Sequence, residues 1–250
     1  MSRPAPWPRA TTAQLSTELR LTARRGENLL AIAVIPVAVL VFFSTTTVLA
    51  VPGGTGVETL LPGAIALAII ASGLVNLGIA TAYERSYGVL KRLGGSPLGR
   101  SGLVAAKVGS IAVIVTVQVI VLVVVAWAGL GWRPVDGASL PLTIGVVALG
   151  TATFAGLGLC LAGTLRAEAV LALANGLFLA AMLLGGIIVP TTALPGPIAA
   201  ISDLLPAAAL ADGLRIALGA STDDLLRPLV VLLAWGAGSI AAAVRAFRWD

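Results

Sequence analysis

Charged residues punctuate this chain at long intervals, leaving uncharged stretches at 28–57, 59–83, 108–132, 137–165, 169–202 and 228–244. These stretches are 30, 25, 25, 29, 34 and 17 residues long. A helix needs about 20 mostly apolar residues to cross a bilayer, so the pattern predicts six spans. They fall near Leu29–Leu49, within Leu60–Tyr83, then near Val108–Leu130, Pro141–Gly163, Ala169–Pro190 and Pro228–Val244. Pro36 removes one backbone hydrogen bond from the first span and favours a kink there. Pro62 is expected in the first turn of the second, where a missing amide proton costs little. Gly145, Gly150, Gly156 and Gly158 in the fourth span permit close helix packing.

The segments between spans have their own patterns. Residues 1–11 carry Pro4, Pro6 and Pro8 and read as an irregular tail. Residues 12–28 place Leu15, Leu19 and Thr22 or Ala23 at helical spacing, with Glu18, Arg24, Arg25 and Glu27 available to face water. That spacing predicts an amphipathic helix lying along the membrane surface. VPGGTG at Val51–Gly56 reads as a turn, and GWRPVDGAS and TLRAE as short loops. In the polar stretch Tyr83–Lys107, Gly94, Gly95 and Pro97 separate a short helix from the lead into span three. Between spans five and six, Pro195, Pro197 and Pro206 break any continuous helix. Two short helices, Ile198–Leu205 and Ala207–Leu218, are expected there, as a re-entrant or interfacial hairpin kept near water by Asp203, Asp212, Arg215, Asp223, Asp224 and Arg227. The expected fold is therefore all-α and polytopic: 1–28 as tail and interfacial helix, 29–250 as a six-span domain.

Composition agrees with this reading. The chain of 250 residues is 58% hydrophobic and 11% charged, against about 25% charged for an ordinary soluble domain. This excludes a soluble enzyme, a disordered chain and a free nucleic-acid binder. The Lys and Arg residues are unevenly distributed. Six spans put both termini on one side, together with the 83–107 and 164–168 loops, which gives 13 Lys or Arg there and only Arg133, Arg215 and Arg227 opposite. The positive-inside rule then places both termini in the cytoplasm, and the basic pI needs no nucleic acid to explain it.

No catalytic constellation emerges. There is no histidine, no GxxxxGK[ST] phosphate loop and a single cysteine, Cys160. No metal site is expected. Asp212, Asp223 and Asp224 read as a solvated loop face. Asp, Glu, Lys and Arg are missing from the predicted spans, which disfavours an autonomous ion-coupled pump. Among the polar residues within spans, Ser72, Asn76, Gln118 and Asn175 stand out. They suit helix-to-helix hydrogen bonds or the lining of a passage.

The first cytoplasmic loop carries a recognisable pattern. Glu84-Arg85, Gly88, Leu90-Lys91-Arg92-Leu93 and Ser96-Pro97-Leu98 resemble the corresponding loop of ABC-2 type transporter permeases. Leu194-Pro195-Gly196, Leu205-Pro206 and Gly213-Leu214-Arg215 resemble that family's stretch before the last span. The likeness covers nearly the whole chain and is greatest to the bacterial daunorubicin and multidrug exporter subgroup. Val89 departs from the threonine or other polar residue often found at that position.

The resemblance implies a permease subunit of an exporter in the bacterial cytoplasmic membrane, for a drug-like, lipid or other amphipathic substrate. It implies a second permease copy, or a homologous permease, and separate cytoplasmic ABC ATPase subunits. Those subunits would bind ATP and Mg; this chain would bind no cofactor. Glu84, Arg85, Gly88, Leu90, Lys91, Arg92 and Leu93 would form the coupling helix that docks on the ATPase, with leucines filling a groove and basic groups steering the contact. Three other classes stay open on the sequence: a non-transporting membrane assembly protein, a passive channel, and a membrane enzyme acting on lipids.

Overall fold

The computed structural model describes residues 6–24, 26–46, 56–187 and 195–246, without the side chains of 26–32 and 246. All but Gly56 of the expected turn at Val51–Gly56 lies outside them. The described chain is helical throughout: α1 (Trp7–Arg24), α2 (Gly26–Thr45), α3 (Gly56–Ile70), a π-helical turn (Ala71–Asn76), α4 (Leu77–Ser86), α5 (Val89–Gly94), α6 (Gly99–Gly129), α7 (Leu140–Thr164), α8 (Ala167–Leu184), α9 (Gly196–Ser202), α10 (Pro206–Ala217) and α11 (Leu226–Ala246).

Among the described residues, five helical stretches are long and apolar enough to cross a membrane: Gly56–Ser86, Gly99–Gly129, Leu140–Thr164, Ala167–Leu184 and Leu226–Arg245. The α9–α10 pair would make a sixth if it counted as one span, but it is bent by 84° between its halves. The chain is thus an all-α polytopic membrane protein with a broken helix pair before its last span. The expected first span corresponds to α2, whose apolar stretch among residues with described side chains is Ala33–Thr45.

The stretch Gly56–Ser86 is the centre of the bundle. Its most apolar window is 83% buried, against 22% for α8 and 28% for α6 and α11. The outer helices keep apolar faces turned outward, which costs nothing in a hydrocarbon solvent. Small residues set the closest approach. Gly158 of α7 lies against the backbone of Gly73 and Gly78, and a Cβ there would stand 2.4 Å from the Gly73 carbonyl oxygen. Gly150 and Gly156 are also packed, against Leu210 and Ser239, whereas Gly145 faces open space and packs against nothing.

Several boundaries differ from expectation. Helix α1 begins at Trp7 rather than in the twelfth position, because Pro8 fits a first helical turn. Helix α3 begins at Gly56, so Pro62 lies inside it, beyond the first turn. Helix α6 begins at Gly99 and carries Lys107 within it. Glu18 was expected to face water and Arg215 to keep its segment near water; both are buried, at 9% and 7% exposure. Each has an ionic partner: Lys107 of α6 for Glu18, and Asp212, three residues earlier on the same helix, for Arg215.

Candidate functional site

One end of the bundle gathers α1, α5, the end of α4, the start of α6 and the α7–α8 turn. Helix α4 stops at Ser86, and the chain turns at Gly88 in the left-handed conformation, with φ of 71°. That conformation favours glycine, since any side chain would strain it. The short helix α5 then lies against the bundle. Leu90 is fully buried and packs with Leu98 and Leu103, with Ala10 and Leu93 alongside.

This arrangement separates the seven residues expected to form a docking element. Leu90 faces inward and anchors α5; it does not offer itself to a partner groove. Leu93 is half-buried beside it. Arg85 turns back to donate from Nη2 to the Leu165 carbonyl, which fastens α4 to the α7–α8 turn. Glu84 also points inward. Lys91 and Arg92 are exposed, and so are Tyr87 at 75% and Val89 at 43%. Tyr87 and Val89 lie outside the set that the resemblance implies, yet they are exposed on this surface. A helix of six residues on a bundle has one inner face, and Leu90 takes it.

Glu84 belongs to a buried ionic cluster. Lys107 Nζ lies 2.7 Å from Glu84 Oε2 and 3.0 Å from Glu18 Oε1. Gln14 Nε2 donates to Glu18 Oε1 at 2.7 Å. The Lys107 side chain is 1% exposed. A buried ammonium requires such compensation, since an unpaired charge away from water is very costly. The cluster joins α1, α4 and α6 at a single point.

Beside it lies a half-open cavity of about 610 Å³, bounded by α2, the π-helical turn, α4 and α8. Its walls are largely apolar, including Ile35, Leu67, Val75 and Phe178. Asn76, Asn175, Tyr83, Tyr87 and Glu84 contribute the polar groups. The Tyr83 and Tyr87 rings lie 6.1 Å apart at its α5 end. The volume falls in the usual range for small-molecule sites, about 300–1,000 Å³. A π-helical turn within an α-helical span rotates the following residues and often marks a functional site.

Ser72, Asn76, Gln118 and Asn175, the four singled out in the sequence, divide into two pairs. Ser72 donates to Gln118 Oε1 at 2.9 Å, a buried bond between the second and third spans. Asn76 and Asn175 both line the cavity, and Asn175 also donates to the Leu171 carbonyl at 2.8 Å. No group of three or more His, Cys, Asp or Glu residues able to hold a metal occurs among the described residues.

At the opposite end, Arg227 lies 2.6 Å from Asp203 and 2.9 Å from Asp212. Arg215 pairs with Asp212 at 2.9 Å and donates to the Gly186 carbonyl. These bonds tie the bent pair to α11 and to the end of α8.

No curated protein is matched by the sequence. The family model described as ABC-2 type transporter matches residues 10–218, from α1 through the last residue before the α10–α11 connection. With well over half of the chain matched, and with most of α1, all of α5 and the bent helix pair within the match, the chain belongs to the ABC-2 type transporter family.

Proposed function

We propose that this chain is the permease subunit of an ATP-driven exporter in a bacterial cytoplasmic membrane, with both termini cytoplasmic. Separate ATPase subunits bind ATP and Mg and dock on the exposed face of α5. The carrying observation is that α4, which forms part of the cavity wall, runs directly into α5, which bears the docking face. Ala80, Tyr83 and Glu84 line the cavity, and Tyr87, one residue beyond the helix end, lines it too while opening the exposed patch. A push on α5 therefore moves the cavity wall with no intervening joint other than Gly88. The apolar walls with a few amide, phenol and carboxylate groups suit an amphipathic substrate. The cavity is half-open, and α2 and α8, two of the helices that line it, carry the exposed apolar residues Val34, Ile35, Leu171 and Leu177. A second permease copy would close it.

The test uses the exposed residues rather than buried Leu90. Val89→Asp and Arg92→Glu each alter the docking face and leave the α5 core alone. Either should lower the amount of ATPase recovered per inserted permease by about tenfold, equivalent to about 1.4 kcal/mol, with export in the same membranes falling alongside. Undiminished ATPase recovery and export in both variants would refute the docking assignment. Export by the wild-type chain with no ATPase bound would refute ATP drive itself.

A further inference from the structure

A second large groove lies on the outer surface of the bundle, on the half of the spans away from α1. It measures about 770 Å³ and runs between α6 and α7. On α6 it is lined by Thr116, Ile120 and Val124, and on α7 by Leu140, Ile144 and Val147. Within each helix these residues recur at three- or four-residue spacing, so each set forms one stripe. Ile120, Val124, Leu140 and Ile144 are all more than half exposed.

Three observations identify what this groove holds. The first is its chemistry. The threonine hydroxyls in it are already satisfied within their own helices: Thr116 donates to the Ala112 carbonyl at 2.7 Å, Thr143 to Ser139 at 2.9 Å and Thr151 to Val147 at 2.7 Å. They ask nothing of an occupant, and the groove presents hydrocarbon. The second is its length. From Ala112 to Val124 the α6 wall covers about 18 Å at 1.5 Å per residue. One leaflet of a hydrocarbon core about 30 Å thick is about 15 Å deep. The third is the charge at its mouth. The stripe on α6 continues to Trp127, and the Arg133 guanidinium lies over that ring, 5.4 Å from its centroid. Arg133 Nη1 donates to the Trp127 and Trp132 carbonyls at 3.0 and 2.9 Å, which fixes the group in place. Its neighbours in sequence, Trp132 and Pro134, both line the groove. Arg133 is exposed and forms no ion pair among the described residues, nor does Asp136 three positions on.

We infer that this groove is a phospholipid site: one acyl chain lies along the α6–α7 groove, in the leaflet away from α1, and the lipid phosphate meets the Arg133 guanidinium. Planar guanidinium groups bind phosphate oxygens through paired N–H donors, and Nη2 and Nε of Arg133 are the donors not engaged by the two carbonyls. Tryptophans at the water boundary complete the mouth. The site is separate from the cavity beside the π-helical turn and does not depend on the transport reading.

The test is binding to the purified, delipidated full chain in mild detergent, followed by native mass measurement. The probes are dioleoyl phosphatidylglycerol and dioleoylglycerol, which share acyl chains and differ in the phosphate-bearing headgroup. The wild-type chain should retain phosphatidylglycerol. Arg133→Gln should weaken that binding about tenfold and leave dioleoylglycerol unchanged. Ile144→Trp, which fills the groove from an exposed position, should weaken both. Circular dichroism and melting of each variant verify the fold. Equal phosphatidylglycerol binding by the wild type and Arg133→Gln would overturn the phosphate contact, and equal binding by Ile144→Trp would overturn the groove. Efficient disulfide dimerisation through Ile144→Cys, in a Cys160→Ala background in membranes, would assign the groove to a second copy of the chain and likewise overturn the inference.

Discussion

At the end of the bundle that carries α1, a single buried lysine lies between two carboxylates. At the other end, two arginines and two aspartates form a chain of pairs. Both clusters hold a helical segment that does not itself complete a straight span: α1 in the first case, the bent α9–α10 pair in the second. They differ in how the partners are supplied. Glu18, Glu84 and Lys107 come from three distant parts of the sequence and meet only because α1 packs on α6 and the π-helical turn that leads into α4 also touches α6. Arg215 and Asp212 are three residues apart on one helix, and Arg227 reaches back to both aspartates from the start of α11. The lysine cluster is therefore a single junction, whereas the arginine cluster is redundant. Losing Lys107 strands two carboxylates near one another. Losing one arginine still leaves Asp212 a cation.

That difference can be broken by substitution, and the largest effect belongs to Lys107. Lys107→Met removes the only charge among the described residues that pairs with Glu18 and Glu84. Breaking a buried pair in this way costs about 3–5 kcal/mol. The melting temperature in detergent should fall, and the α1 amides should lose protection from hydrogen exchange. Adding Glu18→Gln and Glu84→Gln to Lys107→Met should recover most of the loss. An α1 that exchanges as slowly in Lys107→Met as in the wild type would show that apolar packing alone holds it.

Arg215→Met should have a smaller effect. The Gly186 carbonyl loses its donor, but Asp212 keeps Arg227 at 2.9 Å. Removing a charged hydrogen bond costs about 1.5–3 kcal/mol. Exchange should rise in α10 while α1 stays protected. A loss as great as that of Lys107→Met would remove the contrast between a single junction and a redundant one.

Arg227→Gln should have the least effect. Its side chain is 45% exposed, and exposed pairs contribute about 0–1 kcal/mol. Melting should change little, and less still at high salt, where exposed charges are screened. A fall comparable to that of Arg215→Met would mean that Arg227, not Arg215, secures the bent pair.

The two clusters were unequally legible in the sequence. The proline-broken segment between spans five and six announces its two short helices, because proline spacing acts locally. The structure places them at Gly196–Ser202 and Pro206–Ala217, close to the expected bounds. The lysine cluster gave no such sign. Lys107 stands at the edge of an uncharged stretch and reads as a topology-setting loop charge. Glu18 stands on the charged side of an amphipathic pattern, and helical periodicity cannot tell a water-facing glutamate from one that meets a cation on another helix. The same limit applies to α5. Its residues are visible as a short basic and apolar helix, but which of Val89, Leu90 and Leu93 faces inward depends on where Leu98, Leu103 and Ala10 lie.

The spacing of charges along the chain determined the class of protein: long uncharged runs dissolve in hydrocarbon, and their count and separation follow from bilayer thickness. It also determined the helical character of every described segment and the position of the bent pair, since backbone groups in lipid must be satisfied within each segment. The tertiary structure alone decided which span is central, where the π-helical turn opens a cavity, which face of α5 is presented and which charges neutralise one another. Those outcomes depend on contacts between residues tens of positions apart. Gly73 against Gly158, Ser72 against Gln118 and Lys107 against both Glu18 and Glu84 are set by how whole helices pack, and local periodicity carries no record of that packing.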